Sequence, residues 1–249
     1  MLNSMPQFYL HQLQVDFTQP IERHELDAFR GAVGRTVGLD NVLFHNHLEE
    51  DKVRYAYPLI QYKRRSGRPL MVCLGDGVDA VPELFKRSDG RLTLNNRPYQ
   101  LQVADVRVQR YALNISRKKY SYDLRHWLPL NDRNYAVYQE FQKPEERHGF
   151  LERLLVGNIL SFAKGVGWWI DGRVEATLHQ DVTIRVLTYK DVPMMTVDAS
   201  FETNVFLPPW IGLGKGVARG HGIVMPARAI DASEADSDIA IQTQAETHG

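Results

Sequence analysis

Phe8-Tyr9-Leu10-His11-Gln12-Leu13-Gln14-Val15-Asp16-Phe17 alternates apolar and polar residues at the two-residue period of a strand. After Pro20, which suits an early helical position, the apolar spacing changes to Leu26, Phe29, Val33 and Val37, the period of a helix. Alternation returns at Val53, Tyr55, Tyr57 and Leu59, and again at Leu70, Val72 and Leu74. The polar turn Arg64-Arg65-Ser66-Gly67 between the two runs predicts a hairpin. A short helix around Val78 to Lys86 and a long extended segment from Leu101 to Ile115 complete this half, with turns at Asp89-Gly90 and Asn95-Asn96. The order is βαββαβ, the α+β ferredoxin-like motif built on an antiparallel sheet.

The second half repeats the pattern. Tyr120 to Leu130 reads as extended, and Pro144, Glu145 and Glu146 favour a helix start. Leu151, Leu154, Leu155, Ile159, Phe162 and Val166 trace one apolar face, which Gly165 and Gly167 end. Strands are predicted from Val174 to Tyr189 and from Met194 to Val205, across a turn at Lys190-Asp191. Pro208-Pro209-Trp210 and a Gly-rich segment follow, then a strand-like Gly222 to Pro226. A second ferredoxin-like unit lacking its second helix fits this order. The predicted organisation is therefore an N-terminal unit over 1–119, a C-terminal unit over 120–226 and a tail over 227–249. Trp168 and Trp169, at the glycine-terminated end of the long helix, are expected to pack into the core.

At 249 residues, 43% hydrophobic and 24% charged, the chain has an ordinary globular composition with room for one large or two small cores. Its single cysteine, Cys73, cannot form an internal disulfide or a cysteine-based zinc site, which fits a reducing cytoplasm. No apolar run approaches the roughly 20 residues of a membrane span, so neither secretion nor membrane insertion is expected. The zero net charge is uneven: residues 227–249 hold one arginine against five acids, a net −4, leaving +4 on residues 1–226. The small, polar, aromatic-free tail reads as disordered and acidic. The moderately basic remainder permits nucleic-acid binding.

The densest chemical signal is Gly212-Leu213-Gly214-Lys215-Gly216-Val217-Ala218-Arg219-Gly220-His221-Gly222. Its glycines let the backbone take positive φ and approach a ligand closely, consecutive N–H groups can form an anion-binding concavity, and Lys215, Arg219 and His221 add positive charge. Phosphate is the natural ligand. A mononucleotide loop would need a following helix with Lys-Ser or Lys-Thr, whereas Gly222 to Pro226 resembles a strand. Further basic clusters lie at Lys63, Arg64, Arg65 and Arg68, and at Arg107, Arg110, Arg117, Lys118, Lys119 and Arg125. In the second, Tyr111, Tyr120 and Tyr122 interleave with the charges, as phosphate contact plus base stacking requires. A solvated strand face with an edge guarded by charge explains the same pattern equally well.

The segment from Ile211 through Gly222 resembles the C-terminal Gly-rich loop of CRISPR-associated endoribonucleases of the RAMP superfamily, in particular the sixth Cas family, b-type. The resemblance extends to Gly157-Asn158-Ile159-Leu160-Ser161-Phe162-Ala163-Lys164-Gly165 and to Trp127-Leu128-Pro129-Leu130-Asn131 with Asn134-Tyr135. It also includes Phe44-His45-Asn46-His47 and Tyr57-Pro58-Leu59-Ile60-Gln61-Tyr62-Lys63. It implies tandem ferredoxin-like domains, CRISPR repeat RNA as substrate, release of guide RNAs by cleavage, and neither metal nor cofactor. Effector-complex subunits and a homodimer are further partners that the resemblance admits.

For such a reaction the candidate catalytic groups are His47 and His45, placed on a loop between a predicted helix and strand, with Tyr55 and Lys52 close in sequence. RNA carries its own nucleophile, the 2′-OH. A base must take that proton, an acid must protonate the leaving 5′-oxygen, and cations must stabilise the phosphorane; histidine can do either proton job near neutral pH. His47 is favoured over His45. Gly212, Gly214, Lys215, Gly216, Arg219, Gly220, His221 and Gly222, with Arg117, Lys118 and Lys119, are the candidate RNA contacts. The string His45-Asn46-His47 spells the name of a metal-dependent DNA nuclease motif, but that motif takes its residues from dispersed positions of a ββα unit. The alternative reading is a non-catalytic RNA-binding subunit of an effector complex with the same fold.

Overall fold

A computed structural model of the chain describes residues 8–38, 42–45, 47–48, 52–53, 57–189 and 192–227. In chain order the elements are β1 (Phe8–Phe17), a 3-10 turn (Arg23–Glu25), α1 (Leu26–Val37), α2 (Val42–His45), β2 (His47–Leu48), β3 (Lys52–Val53), β4 (Ile60–Arg65), β5 (Arg68–Leu74), α3 (Asp76–Arg87), β6 (Arg91–Leu94), β7 (Arg97–Gln100) and β8 (Val103–Leu113). β9 (Ile115–Trp127), α4 (Asp132–Glu140), α5 (Pro144–Gly165), β10 (Ala176–Leu178), β11 (Thr183–Tyr189), β12 (Val192–Val205) and β13 (Ile223–Pro226) follow.

The first sheet runs β4-β5-β1-β8 and is antiparallel throughout. Read against the βαββαβ order, this is the ferredoxin-like strand order, and the second sheet, β10-β12-β9-β13, repeats it. The fold is thus two ferredoxin-like units in tandem. β11 adds to β12 beside β10. In the second unit the Gly-rich segment occupies the place of the second helix, between β12 and β13. The chain passes from one sheet to the other at Asn114, whose carbonyl accepts from Phe206 N–H at 3.2 Å.

The Ser66-Gly67 turn closes the β4–β5 hairpin with φ of 49° and 79°, as the right-handed strand twist demands of a two-residue loop. Asn95 and Asn96, at φ 47° and 64°, close β6–β7 in the same way. The alternation at Val53 to Leu59 does not continue as a strand: Tyr57, Pro58 and Leu59 precede β4, which begins at Ile60. Pro58 supplies no N–H for a ladder. The extended run predicted from Val174 is divided into β10 and β11.

α4 was not anticipated. Asn131 caps it, its side chain accepting from Asn134 N–H at 2.8 Å, while only Tyr138 is buried, so its apolar periodicity is weak. Trp168 is 8% exposed, but Trp169 is 87% exposed, which corrects the expectation that both pack inward. Adjacent side chains in the connection after α5 point in different directions, and only one can enter the core. Among the described residues, no helix is long and apolar enough to cross a membrane.

The two faces of the first sheet have different partners. Val15, Phe17, Ile60, Tyr62, Met71 and Cys73 pack with α1 and α3. Leu10, Leu70, Val72 and Leu74 on the other face belong to one cluster with Leu155, Ile159 and Phe162 of α5 and with Leu124, Val197 and Phe201 of the second sheet. The units therefore share a core, in which each fully buried large apolar side chain contributes roughly 1.5–3 kcal/mol over leaving it exposed.

Candidate functional site

β4 shows how the sequence builds the site. Ile60, Gln61, Tyr62 and Lys63 are all buried, because α1 covers one face and the Gly-rich segment covers the other. Lys63, read from sequence as part of a basic RNA-facing cluster, has no exposure; its Nζ donates to the carbonyls of Val217 at 2.9 Å and His221 at 3.4 Å. Burial pushes its pKa down to about 7. Beside it, Tyr57 OH donates to the Gly212 carbonyl at 2.8 Å and accepts from Gln61 Nε2 at 2.9 Å. Tyr62 N–H reaches the Ala218 carbonyl at 3.3 Å, and Tyr62 and Arg219 form a parallel bridge. The Gly-rich segment thereby extends the free edge of β4.

The same segment is tied to the second sheet. Gly222 N–H donates to the His126 carbonyl at 3.0 Å and Lys215 N–H to the Leu128 carbonyl at 3.1 Å, while Gly212 bridges Ile223. Gly222 has φ +63°, and a Cβ there would lie 1.8 Å from the Leu213 carbonyl oxygen. A Cβ at Gly214 would meet the Trp127 ring at 2.7 Å. The N–H groups of Leu213, Lys215, Arg219, His221 and Gly222 are all spent on protein carbonyls. Those five N–H groups are therefore closed to a ligand, and the segment's polar side chains include Arg219 and His221.

Those side chains border a cleft of about 910 Å³ between the two units. Arg23, His24 and Asp27 enter it from the start of α1, and Arg64, Ser66 and Gly67 from the β4–β5 hairpin. His126 comes from β9, Leu187, Thr188 and Tyr189 from the end of β11, and Arg219, Gly220 and His221 from the Gly-rich segment. Arg219 Nη1 pairs with Asp27 Oδ2 at 2.7 Å. Lys215 is exposed, with its Nζ 5.7 Å from the centre of the Tyr189 ring, which meets His221 edge-on at 5.3 Å. Burial, reinforced by nearby Lys63 and Arg23, pushes the His221 pKa down to about 4, so this imidazole is neutral near pH 7 and does not add the charge expected of it. Burial likewise lowers His126, with Arg23 adding to the effect, while Asp198 opposes it.

The sequence-predicted residues separate into three groups. Gly212, Gly214, Lys215, Gly216, Arg219, Gly220, His221 and Gly222 form one tight segment at the cleft. Arg117, Lys118 and Lys119 lie exposed on β9, and Lys119 pairs with Glu175 at 2.6 Å. For the third group, the backbone of His45 ends α2, and His47 pairs with Val53 next to Leu48 with Lys52. The side chains of His45, His47 and Lys52, all of Tyr55, and residues 228–249 of the tail lie outside the described residues. Sequence reasoning missed Arg23, His24, His126 and Tyr189. Arg23 and His24 sit directly before a helix start and carry a readable signal, whereas His126 and Tyr189 join the cleft only through tertiary folding.

Tandem ferredoxin-like units joined by a glycine-rich clasp, with a cationic cleft along it, define a two-domain protein class, and comparison with known proteins assigns the family. The Cas6b N-terminal domain model matches residues 8–112 and the Cas6b C-terminal domain model matches residues 114–227. The chain belongs to the Cas6b family. An uncharacterized protein of Methanocaldococcus jannaschii is 27% identical over 147 residues, covering 55% of this chain and 97% of that protein. A crystal structure of Cas6b superposes with a TM-score of 0.77 at 24% identity, covering 88% of this chain and all of the other. A second, described as the CRISPR RNA processing endoribonuclease Cas6b, gives 0.69 at 21% identity over the same shares. These likenesses confirm the fold.

Proposed function

We propose that the chain is an endoribonuclease that cuts CRISPR repeat RNA and releases guide RNAs, by attack of the 2′-OH on the adjacent phosphate to leave a 2′,3′-cyclic phosphate, without a metal ion. The observation that carries this reading, beside family membership, is the cleft whose wall combines Arg23, Arg64 and Arg219 with Tyr189. Guanidinium groups suit phosphate, and an aromatic side chain suits stacking of an unpaired base. Arg219, Lys215 and the Gly-rich segment hold the RNA, with Arg117 and Lys118 extending the basic track along β9.

His47 or His45 transfers the protons, and Tyr55 or Lys52 assists. A histidine with an unperturbed pKa near 6.5 can serve as base or acid around neutrality, which the depressed His221 cannot do as an acid. Cleavage of a repeat RNA in excess EDTA, beside an RNA with a single 2′-deoxy substitution before the scissile phosphate, tests the mechanism. Cutting of the deoxy RNA, or loss of activity in EDTA, removes it. Replacing both His45 and His47 by alanine is expected to abolish cleavage and keep binding; unchanged cleavage removes the catalytic assignment. Absence of cleavage by the unaltered chain, with tight RNA binding, would favour an RNA-binding subunit.

A further inference from the structure

We infer, on the RNA-binding reading above, that Trp169 is a platform on which an unpaired base of the bound RNA stacks. Trp169 is 87% exposed, the most exposed large apolar side chain among the described residues. Its ring stands almost wholly in water, although the residue before it shows that the core takes a tryptophan here. Trp168 is 8% exposed, and its ring stacks on Phe8 at 6.4 Å. The backbone that carries Trp169 is held in place. Val166 N–H donates to the Phe162 carbonyl at 3.0 Å and Trp168 N–H to the Ala163 carbonyl at 2.8 Å, while Gly167 between them takes φ +80°. A ring on a fixed backbone loses little freedom when a base covers it, and stacking accepts any base because each has a π-face.

The surroundings of the ring select a nucleic acid as its occupant. On one side lies the end of α5, where a Cβ at Gly165 would stand 2.2 Å from the Tyr57 Cβ. Tyr57 is two residues beyond Tyr55, so this contact adjoins the segment that holds the candidate catalytic groups. On the other side, the chain after Trp169 runs against the second sheet. A Cβ at Gly172 would meet the Ile115 side chain at 3.3 Å, the Arg173 carbonyl accepts from Asn204 Nδ2 at 2.9 Å, and Lys119 pairs with Glu175 at 2.6 Å. Trp169 thus lies on the stretch that links the proposed catalytic segment to the exposed cations Arg117 and Lys118 of β9. Its exposed chain neighbours are Lys164, Gly167, Asp171, Gly172 and Arg173, so no apolar patch surrounds the ring as the centre of a protein interface requires. Cations for phosphates around an open aromatic ring are the elements of a single-strand site.

Equilibrium binding of the full chain to a repeat RNA methylated at every 2′-oxygen tests the platform. This RNA carries no nucleophile for its own cleavage, so binding is read apart from the nuclease mechanism. Trp169→Ala is expected to weaken binding roughly 5- to 150-fold, the loss of one stacked base, and to leave the slope of log affinity against log salt unchanged because no phosphate contact is lost. Trp169→Phe should keep most of the affinity. RNA should also quench the long-wavelength tryptophan emission of the unaltered chain, and Trp169→Phe should remove that quench, since Trp127 and Trp168 are buried and Trp210 lies under Arg65. Equal affinity of Trp169→Ala and the unaltered chain, with RNA bound by both, overturns the platform and leaves the RNA-binding reading standing. No binding by the unaltered chain overturns both. A loss that Trp169→Phe does not restore overturns the platform as well. So does a blue shift of the emission with protein concentration in the absence of RNA, because another protein surface would then cover the ring.

Discussion

Replacing Lys63 with methionine isolates the contribution of one buried amine. The side chain has no exposure, its Nζ meets two carbonyls of the Gly-rich segment, and burial lowers its pKa from 10.5 to about 7. An unfolded lysine titrates near 10.4, so between roughly pH 7 and 10 the unfolded chain carries a proton that the folded chain lacks. Folding stability therefore rises with pH through this window, and below it the full cost of burying the ammonium is present. The gap corresponds to at most roughly 5 kcal/mol. Methionine removes that cost and fills similar space, but leaves the Val217 and His221 carbonyls without this donor, at about 1–3 kcal/mol for each buried group. At pH 7 the two changes oppose each other and the net effect is small; the slope with pH is the decisive quantity. Urea unfolding of both proteins at several pH values from 6 to 10, taken as a difference, cancels the other titrating groups. The original chain should gain on the variant by several kcal/mol as pH rises. Parallel curves would refute the assignment of a depressed, buried amine.

Gly222→Ala places a Cβ 1.8 Å from the Leu213 carbonyl oxygen at a φ of +63°, so we expect a loss of at least about 3 kcal/mol, read from the urea midpoint. Arg219→Ala should weaken RNA binding and flatten the slope of log affinity against log salt by about 0.7, the signature of one phosphate contact on single-stranded RNA; an unchanged slope would remove Arg219 from the interface. Trp169→Ala should change stability by under about 0.5 kcal/mol, because the side chain is 87% exposed. Trp127→Ala should cost about 3–5 kcal/mol, since it empties a fully buried site and breaks the 2.9 Å bond from Nε1 to Asn158; calorimetry of both variants checks the contrast.

Elements with a single buried face were legible in the sequence. α1 and α5 show their period because one side meets core and the other meets water, whereas β1 shows its alternation because Gln12 and Gln14 stand between apolar residues in a strand packed on both faces. β4 also shows where that reading fails. Ile60 through Lys63 are buried on both faces, and Gln61 and Lys63 look like surface residues only because charged and amide side chains are usually exposed. Nothing local distinguishes a lysine that donates to distant carbonyls, 154 and 158 residues on, from one in solvent. α4 escaped notice for the opposite reason, as a largely exposed helix with one buried residue; its Asn131 cap was the available signal. The cleft was legible only through the Gly-rich segment and the Arg64 cluster of the β4–β5 hairpin, because its other walls come from α1, β9 and β11.

The glycines of that segment carry a double constraint. Read from sequence, five glycines in eleven residues argue for ligand approach, since each costs roughly 0.5–1 kcal/mol in a regular element relative to alanine. The structure shows a second use. Gly212 lies where a Cβ would meet Lys63 Nζ at 2.9 Å and Val217 at 2.6 Å, Gly214 lies against Trp127, and Gly222 lies against the Leu213 backbone. Closeness to protein, not only to a ligand, excludes a side chain at these positions. Because the segment is hydrogen-bonded to β4 in one unit and to β9 in the other, removing a glycine alters the spacing of both sheets, and with it the cleft that they enclose. Substitutions at Gly212 or Gly222 should therefore impair folding and RNA binding together, whereas Arg219→Ala should separate them. That contrast distinguishes the packing role of the glycines from the ligand role proposed for the cations.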